Sequence, residues 1–226
     1  MTQWNTAQNV WGGGFGLLRD LFTGPVKHFV LPTVSGWTNT GVNSGSVVVN
    51  APSYMVLRAA AVANSTILSL DVCGYLNSNT LGASLIDWNK RLLFVANIIV
   101  NPSDTQATRF MQLKEATAIG QLAENGIGIS MANLTLTGEA YGTSRGTKAF
   151  TTNLTVNQPA LLAILLTSTG VEFVLDNVSQ GSITAANTFP TGDGAAAGNF
   201  MFSNANGAAG TQGDLYVGGI EVWQEV

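Results

Sequence analysis

The sequence predicts a single all-β domain, an antiparallel β-sandwich preceded by an extended N-terminal arm. Three observations support this class. From about Pro25 onward, short apolar runs with strand character are separated by turn residues. The polar residues are mostly neutral types found on strand surfaces and in turns, with 24 Thr, 20 Asn and 15 Ser beside 26 Gly. A length of 226 residues suits one large β domain.

Three apolar runs predict strands of the core. Residues 92–100 and 161–166 are almost continuously apolar, which is typical of strands that are buried on both faces. Residues 161–166 and 171–175 flank Ser168-Thr169-Gly170. Because turn residues between two strand-like runs favour a tight reversal, this spacing predicts a hairpin.

Two segments in the middle of the chain are harder to assign. Apolar residues in 127–131 alternate with one parity and those in 134–136 with the other, which predicts a bulge or bend near Asn133. Residues 110–122 carry apolar residues at spacings that fit a helix, yet Thr and Gly within them weaken that pattern. A strand with a turn is the alternative there.

The C-terminal part predicts less regular structure followed by one strand. Residues 191–213 are rich in Gly, Ala, Asn and Asp, so we expect a long surface loop. Within it, residues 199–203 have strand character. Residues 215–223 predict the final strand of the sandwich.

The first 24 residues differ from the rest of the chain. They lack strand alternation and carry Trp4, Trp11 and Phe15 beside a run of glycines. Exposed aromatic residues on a flexible tether are typical of a segment that becomes ordered on a partner. A strap packed on its own domain fits the same pattern. We therefore divide the chain into an arm, 1–24, and a sandwich, 25–226.

Charge and hydropathy exclude several function classes. Charged residues make up 10% of the chain, the net charge is −4 and there is no basic run, so nucleic acid is a poor partner. No apolar stretch reaches the roughly 20 residues of a membrane span, and the N-terminus has no basic region typical of an export signal. We expect no membrane partner and no cofactor.

The single cysteine does not suggest a nucleophile. Cys73 has apolar neighbours and is expected to be a buried thiol in a strand. Catalysis by this thiol would need a histidine and an orienting carboxylate, and His28 is the only histidine in the chain.

Four segments together resemble concanavalin A-like lectin/glucanase domains, also described as laminin-G-like jelly rolls. They are Asn125-Gly-Ile-Gly-Ile129, the apolar run 161–166, Gly170-Val-Glu-Phe-Val-Leu-Asp-Asn177 and Gly219-Ile-Glu-Val-Trp223. The resemblance covers roughly residues 33–226 by pattern. It is greatest to the versions found in bacteriophage structural proteins, which share the charge-poor composition rich in Thr, Asn and Gly.

The resemblance implies an antiparallel jelly roll that contains a characteristic hairpin motif. Asn177 stands where the family typically has glycine, and asparagine also tolerates left-handed backbone angles. Trp37 and Trp223 would lie on the outer pair of strands that such jelly rolls bring together.

The acidic residues do not match those of a glucanase. A retaining glycosidase needs two carboxyl groups about 5 Å apart, commonly supplied by one strand. Glu115, Glu124, Glu139 and Glu172 are isolated along the chain. We therefore expect a protein that is not an enzyme.

Binding sites for metal or glycan have only weak candidates. Asp193, Asn199, Asn204 and Asp214 could contribute oxygen ligands to calcium, but ordinary turn residues explain them better, so we expect no metal. For a glycan groove, the best aromatic candidates are Trp88, which lies beside Asp87 and Asn89, and Tyr141. Packed aromatic residues are the favoured alternative.

Two functions remain from these observations. The first is a virion structural protein, a phage capsid decoration or fibre component that assembles with other virion proteins and with itself as a homo-oligomer. Its arm residues Trp4, Trp11 and Phe15 would make the contacts. The second is a lectin-like module that binds glycans.

Overall fold

The computed structural model describes residues 22, 24–30, 38–39, 46–50, 54–59, 65–71, 86–101, 108–115, 120–192, 199–205 and 213–226. These residues form fifteen strands and one short 3-10 turn, Ala186–Thr188. The strands are β1 Val26–Val30, β2 Thr38–Asn39, β3 Ser46–Asn50, β4 Tyr54–Ala59, β5 Ser65–Asp71, β6 Leu92–Val100, β7 Thr108–Lys114, β8 Gly126–Ala132, β9 Thr135–Tyr141, β10 Arg145–Ala149, β11 Ala160–Thr167, β12 Gly170–Leu175, β13 Val178–Ile183, β14 Asn199–Ala205 and β15 Gly213–Glu225. In this part of the chain, no helix is long and apolar enough to cross a membrane.

The strands form two antiparallel sheets, which confirms the predicted β-sandwich. The eight-stranded sheet has the order β13-β12-β11-β6-β15-β4-β3, with β1 also paired to β15. The seven-stranded sheet has the order β10-β9-β8-β7-β14-β5-β2. β15 is long enough to pair with β4 through its first half and with β1 through its second half.

The main core lies between the two sheets and follows the alternation of each strand. On β8, Ile127, Ile129 and Met131 are completely buried and point inward. On β6, Phe94 and Ile98 do the same from the other sheet. Because side chains alternate across a strand, the intervening positions point away from this core.

The outward side of the eight-stranded sheet is apolar as well. β6 and β11 are buried at nearly every position, because both of their faces are covered. A second apolar cluster lies on the outward side. We call its strand residues the outward apolar face: Leu93, Val95, Leu161, Ala163, Leu165, Val174 and Trp223.

The hairpin predicted around residues 168–170 is confirmed. β11 pairs with β12 in antiparallel register, with Leu166 opposite Val171 and Thr167 opposite Gly170. The predicted strands at 199–203 and 215–223 correspond to β14 and β15. Within the predicted loop 191–213, the structure describes Thr191, Gly192, β14 and the first residue of β15. The other residues of this loop lie outside the described part of the chain.

Two local expectations need correction. Of the two alternatives near Asn133, a bulge or a bend, the bulge is wrong: the chain reverses in a turn at Asn133 and Leu134 that joins β8 to β9, and the parity changes because two residues lie between the strands. Asn133 takes a positive φ of 56°, which asparagine tolerates. The helix alternative for 110–122 is also wrong over its described residues, because β7 extends to Lys114.

The arm falls mostly outside the described residues. Trp4, Trp11 and Phe15 are not described, and neither are Trp37 and Cys73. Phe22, near the end of the arm, is buried in the second apolar cluster with Trp223. Trp223 itself lies on β15, between β6 and β1, and β1 pairs with no other described strand.

Candidate functional site

The polar candidate site is the outward side of the seven-stranded sheet. On β9, Leu136 and Ala140 point into the core, so Glu139 and Tyr141 point outward. The same alternation places Gln112 and Lys114 of β7 outward, since Met111 and Leu113 lie in the core. We call this surface the polar face, and its outward residues are Gln112, Lys114, Glu139, Tyr141, Arg145 and Thr147.

The strand register arranges these residues in two rows. One row places Gln112 beside Gly128, then Glu139 and Thr147 across successive strands. The other row contains Lys114, Gly126, Tyr141 and Arg145 in the same order of strands. Each row therefore has a glycine on β8 between the side chains of β7 and β9.

The two glycines of β8 leave room for the long side chains of β7. A Cβ atom on Gly126 would lie 2.6 Å from Lys114 Cβ, and one on Gly128 would lie 2.7 Å from Gln112 Cγ. These separations are too short for real carbon atoms. Glycine at both positions lets Gln112 and Lys114 lie over β8.

Glu139 is the centre of a hydrogen-bond network on this face. Its side chain is 1% exposed. Its Oε1 accepts a hydrogen bond from Arg145 Nη2 at 2.8 Å, and its Oε2 accepts one from the Leu122 amide at 3.3 Å. Arg145 Nη1 also donates to Gln121 Oε1 at 2.8 Å. This network attaches the segment Gly120–Asn125 to the sheet.

Further contacts hold the same segment over β7. Gln112 Nε2 donates to the Gly120 carbonyl at 2.7 Å, and Lys114 Nζ lies 3.3 Å from Glu124 Oε1. Asn125 Nδ2 donates to Glu115 Oε1 at 3.3 Å. As a result, Gln112, Lys114 and Glu139 are covered.

The accessible part of the polar face lies over β9 and β10. Tyr141 and Arg145 are directly opposite each other and both are half-buried. Thr147 and Gln121 are exposed. An aromatic ring beside guanidinium, amide and hydroxyl groups can bind a polyhydroxylated ligand, because the ring packs on C–H groups while the polar groups form hydrogen bonds.

A cleft lies elsewhere, at the edge of the sandwich. It encloses about 230 Å³ between residues 152–160 and the end of the β12–β13 hairpin. Asp176 is its one carboxylate, and Asp176 Oδ1 already accepts a hydrogen bond from the Leu161 amide. Gln180 is buried beneath the cleft and its Oε1 accepts hydrogen bonds from Thr151 and Thr152.

The structure separates the two aromatic residues proposed for glycan contact. Trp88 is only 3% exposed and packs in the core, and its Nε1 donates to Glu115 Oε1 at 2.9 Å. This placement fits the packed-aromatic alternative. Tyr141 lies on the polar face. Glycan contact by Tyr141 stays a prediction.

Of the four calcium candidates, Asp214 has a side chain that the structure describes. Asp214 is engaged by Arg58, whose Nε and Nη2 donate to its two oxygens at 2.9 Å each. This hydrogen bond with Asp214 raises the pKa of Arg58 above its ordinary value. Asp193 and the side chains of Asn199 and Asn204 lie outside the described part of the chain. The described residues contain no group of three or more His, Cys, Asp or Glu side chains that could hold a metal ion.

Sequence reasoning missed Arg145 and Gln121, and it treated Glu139 as an isolated acid. They are separated by 6 to 24 positions along the chain. The available signal was the outward parity of Glu139, since residues 136 and 140 are apolar and residue 139 is acidic. Only the pairing of β9 with β10 places Arg145 beside it.

Comparison with known proteins finds similar structures. No protein-family model matches the chain, and no curated protein sequence matches it. A sialidase has a TM-score of 0.54 at 10% identity, over 83% of this chain and 17% of that one. A carbohydrate esterase from Shiga toxin-encoding bacteriophage phi24B has a TM-score of 0.53 at 17% identity, over 85% and 92%. The binding domain of Botulinum Neurotoxin DC in complex with SialylT has a TM-score of 0.52 at 11% identity, over 84% and 44%.

These similarities contradict the expectation that the chain is not an enzyme. A part of a sialidase, 17% of its chain, and most of a carbohydrate esterase, 92% of its chain, share this architecture. The missing carboxylate pair argues only against one glycosidase mechanism, and general acid–base chemistry also uses lysine and tyrosine side chains. At 10% and 17% identity, the likeness shows the fold alone. The solved proteins that resemble this chain in structure are jelly-roll β-sandwiches. The fold of this chain is concanavalin A-like.

Proposed function

We propose that this protein binds glycans through the accessible part of its polar face, around Tyr141 and Arg145. The observation that carries the proposal is the direct pairing of these two residues on the outward side of β9 and β10. Two exposed residues lie close to this pair. Gln121 accepts a hydrogen bond from Arg145, and Thr147 lies on β10 with Arg145. The binding domain of similar fold in complex with SialylT supports a carbohydrate role.

The rigidity of this surface suits a binding site. Arg145 is held by two hydrogen bonds, to Glu139 and to Gln121, each at 2.8 Å. Because these contacts restrict its rotamers before a ligand arrives, little side-chain entropy is lost on binding. The strand backbone beneath Tyr141 and Arg145 is fixed by antiparallel pairing on both sides of β9.

The local charges favour neutral glycans. Arg145 faces the carboxylate of Glu139, and Lys114 faces that of Glu124, so two positive charges are already matched by two negative ones. An anionic sugar would have to compete with these carboxylates for the cations. A neutral sugar needs only donors and acceptors, which Gln121 and Thr147 supply.

Binding of the full chain to immobilised neutral and sialylated oligosaccharides tests the proposal. We expect neutral oligosaccharides to bind more tightly than their sialylated counterparts. Tyr141→Ala should weaken binding about tenfold, which corresponds to about 1.4 kcal/mol. Tyr141→Phe keeps the ring and should retain most of the affinity.

Two control variants locate the site. Lys90→Ala changes an exposed residue outside the polar face and should bind like the unmodified protein. Asn153→Ala changes the lining of the edge cleft and should do the same. Unchanged binding by Tyr141→Ala, or a loss with Asn153→Ala, would place the glycan elsewhere. Absence of binding to every oligosaccharide would refute the proposal.

A virion role is a second proposal. It is supported by the likeness to a bacteriophage protein along 92% of that protein's chain and by the charge-poor composition. In this proposal the chain is a capsid decoration or fibre component that associates with itself and with other virion proteins. Analytical sedimentation of the full chain should then show a homo-oligomer, and a monomer at all concentrations would argue against it.

A further inference from the structure

The outward apolar face is buried although it points away from the core between the sheets. Leu93 and Val95 are 0% exposed, and Ala163 and Val174 are 1% exposed. The strands themselves cannot bury these side chains, because the outward side of a sheet carries no further layer unless another segment covers it. Some part of the protein therefore lies over this face.

The part of the cover that the structure describes belongs to the same chain. Among the described residues that lie outside the strands, Phe22 packs on this face and is 8% exposed. Val26, at the start of β1, packs at the same cluster.

Phe22 is too small to cover the face. From Val174 on β12 to Trp223 on β15 the face crosses four adjacent strands, which is about 14 Å at the usual strand spacing. From Leu161 to Leu165 along β11 it extends about 13 Å. The phenyl ring and the Val26 side chain together cover only a fraction of such an area, so further apolar side chains are needed.

The segment that leads into Phe22 has suitable composition and length. Residues 1–21 contain Trp4, Trp11 and Phe15, together with several aliphatic residues. Twenty-one residues can span up to about 70 Å, several times the width of the face. Since Phe22 already lies on the face, the preceding residues start beside it.

Two buried donors on this face need acceptors. Trp223 Nε1 and Asn97 Nδ2 are buried and have no hydrogen-bond acceptor among the described residues. Asn97 shares the outward parity of Leu93 and Val95 on β6. Buried polar groups are normally paired, so a covering segment with free backbone carbonyl groups suits this surface.

We propose that residues 1–21 dock onto the outward apolar face of their own domain, with Trp11 and Phe15 as the main apolar contacts. The arm is then an intramolecular strap that continues from Phe22 across β15, β6 and β11. Contacts with neighbouring proteins in any assembly would come from other surfaces.

Photo-crosslinking in the full chain tests this placement. Phe15 is replaced by p-benzoylphenylalanine, and the products of irradiation are mapped by mass spectrometry. We expect crosslinks within one molecule, to peptides from β6, β11 or β15. A control probe at Thr147, exposed on the opposite sheet, should give no crosslinks to these strands.

Mixing isotopically light and heavy protein distinguishes contacts within a molecule from contacts between molecules. Crosslinks only between molecules would show that a second copy covers the face and would overturn the proposal. Crosslinks only to the seven-stranded sheet would overturn it as well. Both outcomes are readable without removing the arm.

A second measurement uses a dye that fluoresces on apolar surfaces. The full-length double variant Trp11→Ser/Phe15→Ser should bind the dye several-fold more than the unmodified protein, because the outward apolar face becomes exposed. The matched variant Asn5→Ser/Asn9→Ser should not change dye binding. Equal dye binding by both variants would count against the strap.

Discussion

Replacement of Glu139 by alanine should detach the segment Gly120–Asn125 from the polar face. The Glu139 carboxylate is 1% exposed and accepts hydrogen bonds from Arg145 at 2.8 Å and from the Leu122 amide at 3.3 Å. Alanine at this position removes both acceptors. The Leu122 amide then loses its partner in a buried environment, and Arg145 keeps only its bond to Gln121.

The expected loss of unfolding free energy is about 3 kcal/mol. A buried donor without an acceptor costs about 1 to 3 kcal/mol. Removing one partner of a fully buried ion pair costs about 3 to 5 kcal/mol. Since the Arg145 side chain is 28% exposed, water compensates much of that cost and about 1 kcal/mol remains. For a domain of this size the melting temperature should fall by about 6 to 12 °C.

Thermal and denaturant unfolding measure the loss, and hydrogen–deuterium exchange locates it. Exchange in residues 120–125 should become faster in Glu139→Ala, whereas exchange in β6 and β11 should stay slow. Glu139→Gln keeps an acceptor oxygen and should lose about 1 kcal/mol. Glu172→Ala changes a half-buried glutamate of the other sheet and should stay within about 0.5 kcal/mol of the unmodified protein.

The result that refutes this reasoning is a Glu139→Ala protein as stable as the Glu172→Ala control. In that case the hydrogen bonds at Glu139 would add nothing beyond what water supplies. Equal losses for Glu139→Ala and Glu139→Gln would instead mean that the negative charge, and not the acceptor, holds Arg145.

Two further predictions concern the packing and a turn. Gly138→Ala should lower the unfolding free energy by about 1 to 3 kcal/mol, because the added Cβ would lie 2.6 Å from the ring of Phe173. Denaturant unfolding measures this loss. Gly24→Ala is the control, since no atom lies within 4 Å of a Cβ added there. The turn between β12 and β13 has positive φ at Asp176, 49°, and Asn177, 65°. Asn177→Gly should therefore keep or raise the melting temperature, whereas Asn177→Val should lower the unfolding free energy by about 1 to 2 kcal/mol; equal stability of these two variants would contradict the strain argument.

Much of the strand content was predictable because it is local. The apolar run at 161–166, the turn at 168–170 and the run at 171–175 specify the β11–β12 hairpin through neighbouring residues alone. The change of parity around Asn133 was visible as well. Its interpretation as a bulge failed because a two-residue turn and a bulge change the parity in a similar way.

The candidate site was much less predictable because its contacts join distant strands. Tyr141 was singled out as an aromatic residue, but its partner Arg145 becomes a neighbour only through the register of β9 and β10. Trp88 offered the same sequence signal as Tyr141, and the structure places it in the core. Whether an aromatic side chain is buried depends on the second sheet, which residues near Trp88 in sequence do not reveal.

The sequence by itself determined the all-β class, the strand-forming runs and the poverty of charge, since hydrophobic periodicity and turn residues act over a few neighbouring positions. Only the tertiary structure decided what the outward side of each sheet carries. Pairing of β7 to β10 gathers Gln112, Lys114, Glu139 and Arg145 on one outward side, while pairing of β12, β11, β6 and β15 gathers apolar residues on the other. The physical reason is that strand order and register are set by burial of the inward residues, and the outward ones become neighbours as a consequence.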